Sequence, residues 1–189
     1  MVDKRMLALA SMVLWLAACG PMTYDPPPLP LLSKASTVLG RPADDKMAAV
    51  IGGATYPSPL SGVDIYKEPL QERGYTVVSG APGDWPELGK FQFIVCHSAG
   101  CNAALSAPPG PRIILMLDPF LVGETSCPKG AAVYDYYNTV SFGWTTGEIP
   151  CAHNVPIIRA PSLVGHMAIS YDVRIRDVFM QLLDQMAWN

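Results

Sequence analysis

Charge is sparse in this 189-residue chain: 15% of its residues are Asp, Glu, Lys or Arg, and the formal net charge is −3. Nucleic acid is recognised through clustered basic side chains. No basic patch, phosphate-cradling loop or internal repeat is visible, so nucleic-acid binding has no support. The N-terminal apolar run, Met6 to Ala18, is too short to span a bilayer comfortably. Histidine occurs three times only, which leaves few candidates for a catalytic base.

What is present suits a globular domain, at 50% apolar residues. Lys4 and Arg5 precede the Met6–Ala18 run, which ends Leu16-Ala17-Ala18-Cys19-Gly20. A charged start, a short apolar stretch and small residues before a cut describe a secretory leader. This ending resembles the lipobox of bacterial lipoproteins, in which the cysteine is acylated and becomes the first mature residue. The alternative is a conventional leader with Cys19 incidental. The resemblance implies a leader over residues 1–18 and a lipid anchor on Cys19. Gly20 in second place would suit outer-membrane sorting, with the domain facing the periplasm or the surface. The PPPLP stretch inside Pro21–Pro30 reads as an extended tether, so residues 19–45 link the anchor to a domain over 46–189.

Short apolar runs recur along that domain: Met47–Ile51, Tyr75–Ser79, Phe91–Cys96, Ile113–Leu117 and Val155–Arg159. Helical or loop stretches separate several of them. The alternation predicts an α/β domain, a mainly parallel sheet with helices on both faces. Ser61–Arg73 is a candidate first helix, stopped by Gly74 and kinked or shortened by Pro69. Ile175, Val178, Phe179, Leu182, Leu183 and Met186 form one apolar stripe at helical spacing, a core-facing surface. Ser170 or Asp172 can cap its start.

The chemistry points to FQFIVCHSAGCNAAL, Phe91 to Leu105. A strand, a tight turn and a helix of small residues would push the Ser98 hydroxyl clear of the sheet, as in a nucleophile elbow. The Ala99 amide would point the same way, where it can meet developing negative charge. Cys96 stands where G-x-S-x-G has its first glycine, and an ordinary buried strand-turn-helix is the plain alternative. A serine hydroxyl needs a base, and the base needs an acid to hold its tautomer. His166, between the last strand and the last helix, is the candidate base. His97 would project away from the Ser98 hydroxyl and pack or shape the pocket, and His153 precedes the last strand. Asp118 ends the run after the elbow and is the candidate acid, with Glu148 and Asp172 as rivals and capping or a turn before Pro119 as its plain alternative. Gly52-Gly53-Ala54 after the first strand suits a second oxyanion donor, from Gly53 or Ala54.

From Met47 onward the chain resembles the small α/β-hydrolases of the serine esterase, lipase and thioesterase superfamily. The matching pieces are IGGAT, ERGY, VCHSAG, LMLDP and GHM. The resemblance implies a Ser98–His166–Asp118 triad and an oxyanion hole from the amides of Ala99 and Gly53 or Ala54. It implies ester cleavage without metal or organic cofactor, on a small or lipid-like substrate. Thioester cleavage is the runner-up, and an inactive hydrolase fold serving as an envelope scaffold is the rival from another class.

Phe120–Asn154 carries Tyr134, Tyr136, Tyr137, Phe142 and Trp144. Part of it reads as a strand, over Ala131–Tyr137 or Asn138–Phe142, and its aromatics are either a cap over the site or core. In an exported protein Cys127 and Cys151 could bridge its ends. Cys96 and Cys101 flank the elbow, as buried thiols or as a bridged pair.

Overall fold

The computed structural model describes residues 46–57, 62–83, 85, 87–140, 146–157 and 163–187. The expected leader, Cys19, the expected tether, Phe142 and Trp144 lie outside them. Six strands form one parallel sheet: β1 (Met47–Ile51), β2 (Thr76–Gly80), β3 (Phe93–His97), β4 (Ile113–Leu117), β5 (Ala132–Asn138) and β6 (His153–Ile157), in spatial order β2-β1-β3-β4-β5-β6. The chain is therefore of the α/β class. β1 and β4 match their apolar runs residue for residue, and the others shift by one or two positions. The inserted strand follows the Ala131–Tyr137 reading.

Alternation along the strands divides the core in two, because successive side chains point to opposite faces. Ala48, Val50, Phe93, Val95, Leu115, Leu117, Tyr134 and Tyr136 face one layer. It is built from a 3-10 turn (Val63–Tyr66), helix α1 (Lys67–Glu72) and the last helix, which we number α4 (Val173–Ala187). Ala49, Ile51, Ile94, Cys96, Ile114, Met116 and Val133 face the other layer, which holds α2 (Gly100–Leu105). Every residue of the predicted α4 stripe is buried. Phe179 from that stripe meets Tyr66 and Phe93 edge-on, at ring centroid distances of 4.9 and 5.4 Å. Tyr134 and Tyr136 belong to this core, so for them the packing reading holds.

The first helix is shorter than the 61–73 pattern suggests, and Pro69 supplies the reason. Its ring would clash with the carbonyl four residues back, at Ile65, if α-helix ran through both. The chain instead tightens into the 3-10 turn and starts α1 at Lys67, leaving Pro69 in the first turn. Gly74, at φ +79°, ends it in the left-handed region that suits glycine. At the other end of the domain, Asp172 rather than Ser170 caps α4, its Oδ1 accepting the Arg174 N–H at 3.0 Å.

The strand order reverses between β1 and β3, since β2 continues from β1 in one direction and β3 to β6 build in the other. In open α/β sheets, ligands bind outside the carboxyl ends of the strands at such a point. The Gly52-Gly53 loop leaves β1 there and the Ser98 turn leaves β3 beside it.

Candidate active site

Ser98 follows β3 with φ 55°, in the left-handed region. A serine pays for that conformation, at a cost on the order of 1–2 kcal/mol, and two backbone hydrogen bonds hold it there. The Ser98 N–H donates to the Leu117 carbonyl at 3.1 Å, carrying the β3–β4 ladder one residue further, and the Cys101 N–H donates to the Ser98 carbonyl at 3.1 Å. Two glycines let β1 come close. A Cβ on Gly100 would lie 2.4 Å from the Gly52 carbonyl oxygen, and one on Gly53 would lie 2.9 Å from Ser98 Cβ and 3.4 Å from Ser98 Oγ. Of the two proposed oxyanion donors in that loop, Gly53 is the one pressed against the serine. Ala54 lies beyond it in an exposed turn closed by the Tyr56 N–H on the Gly53 carbonyl at 3.0 Å.

Asp118 ends β4 as Ser98 ends β3, also with a positive φ, 41°, and fully buried. Its amide donates to the Tyr136 carbonyl at 2.7 Å. One carboxylate oxygen accepts the Asn138 N–H at 3.0 Å, and the other meets His166 Nδ1 at 2.7 Å. His166 lies in α3 (Leu163–Ala168), just ahead of α4, and is itself buried. An ionised carboxylate only accepts, so Nδ1 carries the proton and Nε2 is the basic nitrogen of the neutral ring.

His97 stands under this pair. Its Nε2 lies 3.2 Å from the His166 carbonyl, and the two imidazoles are tilted at 35° with centroids 4.6 Å apart. A carbonyl can only accept, so His97 Nε2 bears hydrogen. Burial first, and the neighbouring His166 second, push His97 down to about 4, which keeps it neutral near pH 7. The expectation that it packs and shapes the site fits this position.

The rival residues have other employment. Glu148 is exposed and accepts the Tyr137 hydroxyl at 3.1 Å. Asp172 is paired through both oxygens with the Arg174 guanidinium, at 2.9 and 2.6 Å. His153 is exposed and stacks on Tyr134 at 5.2 Å.

Two features leave no mark in side-chain spacing. The Asn138 amide orients Asp118, and a backbone donor leaves no mark in a sequence. Asp135, in β5, is fully buried with no hydrogen-bond partner for either oxygen among the described residues. Burial, then Asp118 and Glu148, push it up to about 8, so it is largely protonated at neutral pH. Cys96 and Cys101 are joined in a disulfide rather than left as buried thiols, with Cα atoms 5.1 Å apart. The expected Cys127–Cys151 bridge is also present, Cα atoms 5.8 Å apart, just ahead of β6 and away from the Ser98 end of the sheet.

No protein-family model, curated protein or solved structure matches this chain.

Proposed function

We propose that this protein is a serine hydrolase acting on a carboxylic ester. The observation that carries the reading is the buried Asp118–His166 contact of 2.7 Å, at the same sheet edge where Ser98 is held in a left-handed turn against Gly53. A serine in an ordinary loop would have no cause to adopt that conformation, and an imidazole fixed through Nδ1 presents Nε2 as a base.

In the proposed reaction, His166 Nε2 takes the hydroxyl proton as Ser98 Oγ attacks the ester carbonyl. The carbonyl oxygen gains negative charge, stabilised by the amides of Ala99 and of Gly53 or Ala54. Asp118 holds His166 in register and stabilises the imidazolium. The imidazolium returns its proton to the leaving alkoxide, giving an acyl-Ser98 ester and free alcohol. Water, deprotonated by His166, then releases the acid and restores Ser98.

We also propose that the protein works in a bacterial envelope, anchored through a lipid on Cys19. Two disulfides among the described residues support an oxidising compartment. Outside the cytoplasm acyl-CoA is not expected, which favours an oxygen ester over a thioester. A panel of p-nitrophenyl esters of increasing chain length, given to the purified protein, tests the reaction. Turnover that disappears in Ser98→Ala is expected, with a loss on the order of 10⁶-fold. Equal turnover in variant and wild type would remove Ser98 from the mechanism.

A further inference from the structure

The residue that departs from the elbow pattern has a covalent partner. Cys96 is the fourth residue of β3 and Cys101 the second of α2, and the bridge between them spans the turn that holds His97, Ser98, Ala99 and Gly100. Both cysteines are fully buried in the layer beneath that turn. Within the closed loop, Ser98 takes its left-handed conformation and Gly100 touches the end of β1.

We propose that the Cys96–Cys101 disulfide is a positioning element for Ser98 and the Ala99 amide, so that full reactivity belongs to the oxidised protein alone. The proposal rests on Ser98 being the nucleophile. Its physical basis is the small energy by which a short helix resists relaxation. α2 has six residues, too few for stability of its own. A strained φ at Ser98 would relax unless its two flanks were fixed. In G-x-S-x-G turns the first position is a glycine, which adds no tie between strand and helix. Here a side chain at that position, facing the α2 layer, makes the tie directly. Reduction breaks the S–S bond, adds one electron and one proton to each sulfur, and oxidises a dithiol reductant to its own disulfide. The freed flanks would then let the Ser98 turn drift, and displacements of about 1 Å at a reacting group cost on the order of 10²-fold in rate. Cys127–Cys151 ties a different part of the chain, so it serves as the internal control.

The experiment compares Cys96→Ala/Cys101→Ala with Cys127→Ala/Cys151→Ala in the full chain. The first pair should lower kcat about tenfold or more while KM changes little, and the second should lower the melting temperature while leaving kcat alone. Should the first pair fail to fold, the Cys127→Ala/Cys151→Ala protein is titrated with dithiothreitol. Alkylation of Cys96 and Cys101 is counted by mass spectrometry against the rate of fluorophosphonate addition to Ser98. Labelling that slows in step with the appearance of the two thiols supports the brace, and recovery on reoxidation completes the support. Unchanged kcat in a folded Cys96→Ala/Cys101→Ala variant overturns it, as does an unchanged labelling rate after both cysteines are alkylated. If oxidised wild type takes no probe at Ser98, the hydrolase reading fails instead. Amide exchange at Ser98–Cys101 in the same samples then decides the brace: faster exchange after reduction supports it, and equal exchange overturns it.

Discussion

Asp118 is held from two sides, by the Asn138 amide on Oδ1 and by His166 on Oδ2. Replacing it with Asn keeps the size and the Asn138 contact but presents an amide that can donate to the imidazole. The ring would then hold its proton on the wrong nitrogen, a change that costs about 10⁴-fold in a serine protease. Asp118→Asn should therefore fold and lose most of its turnover, as steady-state kinetics beside a circular-dichroism melt would reveal. Glu148→Gln, on the surface, should be nearly silent in both. Asp172→Asn should lose stability rather than rate, about 1–3 kcal/mol, through its half-buried bonds to Arg174 and the α4 start. A silent Asp118→Asn beside a crippled Glu148→Gln would put the acid one segment later. Asp135 has its own signature. Folded, it keeps a proton up to about pH 8, whereas an unfolded Asp releases it near 3.8. Its stabilising contribution is thus complete below the lower value and is lost as pH rises to the upper one. His97 acts oppositely, losing its contribution as pH falls from 6.5 to about 4. Between pH 6.5 and 8.5 Asp135 acts without that opposition. The melting temperature of wild type should drop more across this interval than that of Asp135→Asn, and parallel curves would contradict the assignment.

Among the elements, those with local signals were legible and those joined across the sheet were not. The α4 stripe is a 3.6-residue pattern within one segment, and all six residues are buried as the pattern required. The Ser98 turn reads from five consecutive residues. The sheet order does not, because parallel neighbours such as β1 and β3 meet only after intervening structure has folded. The Cys96–Cys101 bridge was ambiguous for a related reason. Five positions apart on one strand or one helix they would not meet, and only the turn between brings their Cα atoms to 5.1 Å. Asp135 stayed hidden because a polar residue inside a strand ordinarily reads as a solvent-facing position, and here α/β layers cover both faces. The role of Gly100 could be read only in part. A small residue suits the start of a helix of small residues, but the surface it meets belongs to the end of β1, at the Gly52 carbonyl. That backbone cannot move aside as a flexible side chain would. Gly100→Ala should accordingly cost stability by overpacking, about 1–3 kcal/mol, and slow ester turnover by shifting Ser98. A thermal melt and a kcat measurement on the same preparation check both effects.

At the scale of the whole molecule, the proposed triad residues lie at one end of the sheet, beside the point where strand order reverses. Ser98, Gly53, His97, His166 and Asp118 converge there from four separate segments. The proposed lipid on Cys19 would hold that domain near a membrane, within reach of ester substrates in or beside it. Mass spectrometry of the mature N-terminus should find an acylated Cys19, and Cys19→Ser should abolish the modification and weaken membrane retention. An unmodified start elsewhere in the wild type would contradict the anchor. Ser98 carries the proposed chemistry, and its reactivity can be tested without knowledge of the substrate. A fluorophosphonate probe is added to the native, oxidised protein and the adduct is located by peptide mapping. A single adduct on Ser98 is expected, formed far more slowly in Asp118→Asn. A folded wild-type protein with no adduct, or with its adduct on another residue, would contradict it.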